Sequence, residues 1–483
     1  MTINPKDVKA IVDGYTKQLE FNHEIMSIFQ GNLTHYIKCE LQKQMSPETF
    51  AQICARLAPI NILPKVIDKL TNIYQTPVIR TVTGGTEKDD NILDYYEEKM
   101  RINVSMDASN EIYNLANGNC LIQPYVHKGI PKLRVISPDA FVPYSDDPAD
   151  PTTPTDIILI YCNPDKSKYF WVYGSNYMYC CNEAGDILGD KMAAIGMTDT
   201  SNPIETLPFV YVNSSRYSIS PCPDEDGIKI IKLLPIMLSD LNYAAMFQSF
   251  AILYGINVND ENLKMAPNAF WRFKSEATSD AKPEIGVLKP TVDYTQVLSL
   301  IESELSMWLG TKGIRASAIG SRVNAENFAS GISKIIDEMD TYEAREKQVK
   351  QFQQAEEQLW DLVLHKLNPY WIATGQIENI GEFTPTASVA TKFTTQLPLQ
   401  TRGQVVADLQ LEVEAGFTSR RRAIQVINPD LTDDEIDELI KEIDEERPTI
   451  TTGVGSNGMA KTNTDNTQGS GSGTEGAASG SDY

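Results

Sequence analysis

Apolar residues recur at three- and four-residue steps through most of the first 80 positions, which predicts helices there. Ser46-Pro47-Glu48 ahead of "TFAQICARLA" has the makeup of a helix start: a capping hydroxyl, proline at the first helical position and an acid in the first turn. "LPKVIDKLTNIYQ" places Val66, Leu70, Ile73 and Tyr74 on one helical face, and a turn at Gly84-Gly85 leads to a further helix over about 90–117. From Cys120 the period changes to short β-like runs. "CLIQPYVHKGIPKLRVISPDAFVPYSD", "DIILIYC", "KYFWVYG" and "YMYCC" read as antiparallel strands between Gly and Pro turns, with "SDDPADPTTPTD" as a surface loop.

Past "LPFVYVNSSRY" and the acidic turn Asp224-Glu225-Asp226-Gly227, helical spacing returns over 228–253, with Pro235 as a kink. A β-like excursion over 254–288 contains "NAFWRFKS" and "EIGVLKP", and 292–309 is helical again. The longest regular pattern follows. Phe328, Ile332, Ile335, Met339, Tyr342, Val349, Phe352, Leu359, Val363 and Leu367 fall at steps of three, four or seven. One stripe thus persists for about 40 residues, a rod of roughly 60 Å. It opens on Ser330-Gly331. Glycine costs a helix interior about 1 kcal/mol relative to alanine, so this step at the mouth of the rod calls for a structural reason. Thr432-Asp433-Asp434-Glu435 has capping-box spacing for a terminal acidic helix to about Glu446. Beyond Pro448 the chain is mainly Gly, Ser, Thr and Asn, which predicts a disordered tail.

Composition sharpens the picture in two places. The 483 residues exceed the roughly 250–300 that one hydrophobic core serves, so several subdomains are expected. A net charge of −23 argues against a broad basic face that grips nucleic acid. Seven scattered cysteines without a Cys-x-x-Cys pair fit reduced thiols in a cytoplasmic compartment, and the N-terminus lacks the apolar core of a signal peptide. The uncharged 19-residue stretch "LNYAAMFQSFAILYGINVN" is long enough to span a bilayer. Its Asn, Gln, Ser and Gly content and the lack of flanking Lys/Arg clusters favour a helix buried between protein subunits.

Candidate chemistry is sparse. The four histidines, His23, His35, His127 and His365, have no spacing that suggests a metal site or a triad, and no G-x-S-x-G is present. "GVGSNGMAKT" fails as a phosphate loop because Met459 and Ala460 stand between the second glycine and the lysine. "PDEDGIKII" lacks the alternating ligands and closing Glu of a calcium loop. Asp146, Asp147 and Asp150 read as a solvated loop before they read as a cation site. No cofactor, metal ligand set or catalytic residue is expected.

The order of these features resembles the portal proteins of tailed bacteriophages. "LPKVIDKLTNIYQTPVI" is similar to the family's early wing helix, and "LPFVYVNS" with "IIKLLPIMLSDLNYAAMFQSFAIL" to its run from a wing strand into the first stem helix. "FASGISKIIDEMDTYEAREKQVKQF" resembles the segment opening the long wing helix, and "VVADLQLEVEAGFTSRRRAIQVINPDLTDDEIDELIKEIDEE" the C-terminal region. The resemblance covers roughly residues 50–447.

It implies an α+β, mainly α subunit assembled into a ring, usually of twelve copies. The expected parts are an N-terminal wing of helices then antiparallel strands (1–224), a first stem helix (225–253), a small β-containing clip (254–290) and a second stem helix (291–314). A channel loop (315–330), the long wing helix (331–372), a wing strand and connection (373–400), a helical crown region (401–447) and the tail (448–483) complete it. Lys312, Arg315, Arg322, Asn324 and Asn327 would face DNA from the channel loop, Ser330 and Gly331 would form its hinge, and Trp271, Arg272, Phe273 and Lys274 would present a clip or partner surface. The expected partners are further copies of the chain, double-stranded DNA, the terminase large subunit, a tail adaptor, and the major capsid and scaffolding proteins, with no membrane. The expected location is the capsid portal vertex, after assembly in the host cytoplasm.

Charge supports this reading separately. Residues 224–315 hold 12 acidic and 9 basic residues, a net of three negative charges per copy. A mildly acidic passage with isolated cations such as Lys312, Arg315 and Arg322 would touch DNA without trapping it. For "NAFWRFKS", alternation favours packing within an intersubunit sheet over a partner surface. For Arg420–Arg422, the neighbouring acidic helix favours intersubunit ion pairs over DNA contact. Another oligomeric virion protein, or an acidic soluble hydrolase with a helical arm, are the alternative readings.

Overall fold

In the computed structural model of the chain, the described residues are 2–55, 57, 59–76, 78–249, 252–256, 284–288, 294–314, 331–394, 402–428 and 433–446. The chain divides into two compact units, Met1–Leu399 and Gln400–Tyr483.

The first unit begins with helices α1 (Val8–Gly14), α2 (Thr16–Ser27), α3 (Leu33–Gln44), α4 (Pro47–Cys54) and α5 (Leu63–Leu70). A π-helical turn, Ile28–Asn32, joins α2 to α3. The expected helix over "LPKVIDKLTNIYQ" ends early. Thr71 leaves helical geometry at ψ 85°, and Ile73–Gln75 form a separate 3-10 turn that still buries Ile73 and Tyr74. Strand β1 (Ile79–Thr83) precedes α6 (Glu87–Met100) and α7 (Ile102–Leu115). The single helix expected over 90–117 is therefore two, broken at Arg101 in the left-handed region (φ 48°). Thr86 and Asp89 close a capping box at the start of α6.

Strands β2 (Asn119–His127), β3 (Ile130–Ile136) and β8 (Val210–Asn213) form one antiparallel sheet, in the order β3-β2-β8. Strands β4 (Phe141–Tyr144), β5 (Asp156–Cys162), β6 (Lys168–Gly174) and β7 (Met178–Asn182) form a four-stranded meander followed by the short helix α8 (Gly189–Ala193). Helix α9 (Glu225–Ser249), with Pro235 inside it, leads to strand β9 (Ile252–Ile256), which pairs antiparallel with β10 (Glu284–Leu288). The uncharged stretch expected as one buried helix is thus helix to Ser249 and then strand, and residues 252 and 253 belong to the strand. Helix α10 (Tyr294–Thr311) returns along α9. Ile230, Leu234 and Met237 meet Ile301 and Leu305, while Gly227 lies against Trp308, so the pair is antiparallel.

A long helical run follows: α11 (Gly331–Asp361, 31 residues), a π-helical segment (Leu362–Leu367, 6 residues) and α12 (Asn368–Ala373, 6 residues). At 1.5 Å per residue it extends for about 65 Å. Phe352, Leu359, Val363 and Leu367 of the apolar stripe are buried, and the wider π turn buries Leu362 and Leu364 as well. Strand β11 (Ser388–Lys392) then pairs antiparallel with β1, Val82 opposite Val389 and Arg80 opposite Thr391. Three cores result: one between the rod, α6, α7 and the β2 sheet, one within the meander, and one among α2, α3, α5, α9 and α10.

The second unit holds α13 (Arg402–Glu414), α14 (Arg420–Ile427) and α15 (Asp433–Glu446). Ser419 caps α14 through the Arg422 amide at 3.2 Å. Arg421 was expected to pair between subunits, but it bonds Asp437 of its own chain at 2.8 Å. The capping box at Thr432 and the tail beyond Pro448 lie outside the described residues.

Candidate functional site at the helix junctions

Three polar junctions fix the helices on which the expected channel residues are mounted. The first joins the base of α9 to the end of α10. Asp224 is the N-cap of α9: its Oδ1 accepts the Gly227 amide at 3.1 Å. Its Oδ2 lies 2.9 Å from Lys312 Nζ and accepts Trp308 Nε1 at 3.3 Å. Lys312 also donates to Asn117 Oδ1 at 2.9 Å, at the end of α7. A Cβ on Gly227 would lie 2.8 Å from Trp308 Nε1 and closer still to the Asp224 carboxylate, so only glycine permits this approach. Lys232, a turn further along α9, pairs with Glu24 of α2 at 2.8 Å.

These contacts correct one detail of the expectation. Lys312 is not isolated: its ammonium is held by Asp224 and Asn117. The sequence displays the charge but not the carboxylate 88 positions away.

The second junction clamps the rod. Glu356, fully buried, accepts Arg80 Nε at 2.6 Å and Arg80 Nη2 at 2.7 Å. Tyr74 donates to the same carboxylate at 2.9 Å and Trp360 Nε1 at 3.3 Å. Arg80 Nη1 reaches Asn103 Oδ1 at 2.9 Å and Glu97 at 3.3 Å. Burial works against the Arg80 charge, but the hydrogen bond and field of Glu356 outweigh it and raise the guanidinium pKa. Burial, then the Glu356 carboxylate, pushes the Tyr74 phenol well up. Further along, Asn110 donates to Gln348 at 3.0 Å, Gln348 to Asn114 at 2.9 Å, and Tyr113 to Gln351, which together zip α7 to α11.

The third junction holds the segment after the rod. Buried Asp89 accepts the amides of Thr86 and Thr384 and both their hydroxyls, each at 2.8 Å. Burial opposes its ionisation, yet these bonds hold the carboxyl down at about 2. His365 contacts the Ala387 carbonyl at 3.0 Å, a packing role.

Gly331 is the first residue of α11. Arg315, Arg322, Asn324, Asn327 and Ser330, like Trp271, Arg272, Phe273 and Lys274, lie outside the described residues.

Nothing described assembles into a reactive centre. Burial pushes the thiols of Cys180 and Cys181 up to about 12 and about 11, and that of Cys120 further, which keeps them protonated and unreactive. Among the described residues no three His, Cys, Asp or Glu side chains cluster to hold a metal ion. Asp150 serves its loop instead, with hydrogen bonds from Thr153 and Thr152 holding its carboxyl at about 2. No described helix is long and apolar enough to cross a membrane.

The described residues form an α+β subunit whose polar networks brace long helices. The chain belongs to the phage portal protein family described as SPP1 Gp6-like, whose model matches residues 9–449. It is thus a component of the virion and not an enzyme. The comparison with curated proteins finds no match. Among solved structures, one described as "Neck of empty GTA particle computed with C6 symmetry" is similar at 13% identity over 79% of this chain and 93% of that one, with a TM-score of 0.34.

Proposed function

We propose that copies of the chain form a ring at one capsid vertex, twelve in the expected form, through which DNA enters and leaves the head. In this reading α9 and α10 form or brace the channel wall, and residues 315–330 project toward DNA with Arg315, Arg322, Asn324 and Asn327 as its contacts. Residues 254–290, including Trp271, Arg272, Phe273 and Lys274, meet the terminase and later the tail adaptor. The second unit faces the capsid interior, and capsid and scaffolding proteins contact the outside.

The observation that carries the reading is the family match, which spans the paired helices and the rod that opens at Gly331. The antiparallel α9–α10 pair supports it: two packed helices, with the β9–β10 ladder between them in the chain, suit a repeated wall. The net acidity of 224–315 suits a passage that lets DNA slide.

Negative-stain imaging of the purified protein tests the ring. Rings with a central hole are expected; compact monomers or fibres would overturn it. DNA affinity of the ring should be weak and fall steeply with salt, so tight binding that survives high salt would exclude a sliding passage. Gly331→Val should impair packaging while rings still form, because glycine's backbone freedom lets the preceding loop move against a fixed rod. Lost rings with untouched packaging would make that position a packing site instead.

A further inference from the structure

Strands β2 and β3 pair in register, so Gln123, Tyr125 and His127 share one face with Arg134, Lys132 and Ile130. That face starts in the meander's core at Leu121 and Ile136 and emerges at the surface. Arg134 Nε donates to Gln123 at 2.7 Å, and its guanidinium lies 5.9 Å from the Tyr125 ring. Its Nη2 reaches the Tyr161 hydroxyl at 3.5 Å. Tyr161 stacks on Tyr169 across the β5–β6 pair, centroids 5.3 Å and planes 15° apart. Lys191 of α8 lies over Tyr169 with its ammonium 3.8 Å from the ring centroid.

One ladder of cations and aromatic rings therefore runs over both sheets. No carboxylate shares the β2–β3 face, and none of Arg134, Lys132 and Lys191 pairs with a described carboxylate. In a chain with 65 acidic and 42 basic residues, such a surface stands out by its sign. The rings hold Arg134 and Lys191 in place, so less side-chain freedom is lost when an anion arrives.

We propose that this ladder docks an acidic segment of another protein, whose carboxylates meet Arg134, Lys132 and Lys191. The charge selects an anionic occupant. Nucleic-acid bases need open aromatic faces to stack on, whereas Lys191 and Tyr161 already cover Tyr169. The proposal rests on the surface alone and stands whether or not the channel reading holds.

The test uses the full chain and a fluorescent oligoglutamate peptide, with oligothymidylate as the competing probe. Wild type should bind the peptide, more weakly as salt rises. Arg134→Gln and Lys191→Gln should each weaken binding about tenfold, the loss of roughly one charge-assisted contact. Arg134→Lys should retain most of it, and thermal unfolding should be unchanged in all three. Peptide binding that the substitutions leave alone would overturn the proposal, as would tighter binding of oligothymidylate through the same residues. A change in oligomeric mass in the Gln variants would also overturn it, making the surface a contact between copies of this chain.

Discussion

Two of the junctions described above do similar work with opposite physics. At Glu356 both charges are out of water, with Arg80 1% and Glu356 0% exposed, and the carboxylate takes four donors. At Asp224 the partners keep about a fifth of their surface in solvent, 20% for Asp224 and 21% for Lys312. A buried pair gains little over apolar residues of the same shape but costs much when halved. A partly exposed pair is worth less and is screened by salt. The rod is therefore held by a contact that cannot be released one partner at a time. The base of α9 and α10 is held by one that ionic strength can loosen.

The comparison is broken most directly at Glu356. Glu356→Ala leaves a buried guanidinium without its carboxylate and should cost about 3–5 kcal/mol, read from urea unfolding followed by tryptophan fluorescence. The double variant Arg80→Met with Glu356→Met should recover most of that loss. A double variant as unstable as the single one would show that hydrogen-bond geometry, not uncompensated charge, sets the value of the clamp.

The Asp224 junction has its own steric point of failure. Gly227→Val would drive a side chain against Trp308 and the Asp224 carboxylate, with an expected cost of about 1–3 kcal/mol. The same substitution at Gly14, where nothing lies within 4 Å of the added Cβ, is the control. Equal costs at both positions would mean that helix propensity, not crowding, sets the penalty at Gly227.

How much of this was legible in the sequence follows from range. The apolar stripe from Phe352 to Leu367 and the short apolar runs of β5 and β6 are local patterns; the stripe is buried, and the two strands are buried at consecutive positions rather than on one face. The Thr86-x-x-Asp89 cap starts α6 before the helix expected from about 90, and its second job, binding Thr384, joins positions 295 apart that no local pattern connects. Arg101 gives no warning of a helix break, because a non-glycine residue in the left-handed region carries no sequence mark. The helix-to-strand change after Ser249 falls inside a continuous apolar run, where periodicity cannot separate the two. Arg80 and Glu356 stand 276 positions apart, so only the fold brings them together. The charge of Lys312 could be read and its partner could not.

Acid should distinguish the third junction from the other two. A carboxyl held near 2 in the folded chain, against an ordinary value of 3.8, stabilises the fold fully above about pH 4. That contribution is lost as pH falls through 4 toward 2, as the folded group takes up its proton. Asp89→Ala should cost about 1 kcal/mol at neutral pH, within the range for a lost helix cap. Its unfolding midpoint should fall less between pH 5 and pH 3 than that of the wild type. Parallel pH profiles would mean that another carboxyl carries the acid sensitivity.

The smallest expected effect decides what Lys312 is for. If its ammonium serves Asp224 and Asn117, Lys312→Met removes a partly exposed pair worth under about 1 kcal/mol. The difference from wild type should shrink further at high salt, where the pair is already screened. Under the proposed channel reading, DNA affinity should not move, because Asp224 already neutralises the charge inside the subunit. A drop in DNA affinity of Lys312→Met, with its stability unchanged, would make Lys312 a DNA contact and leave Asp224 with only its capping role at the start of α9.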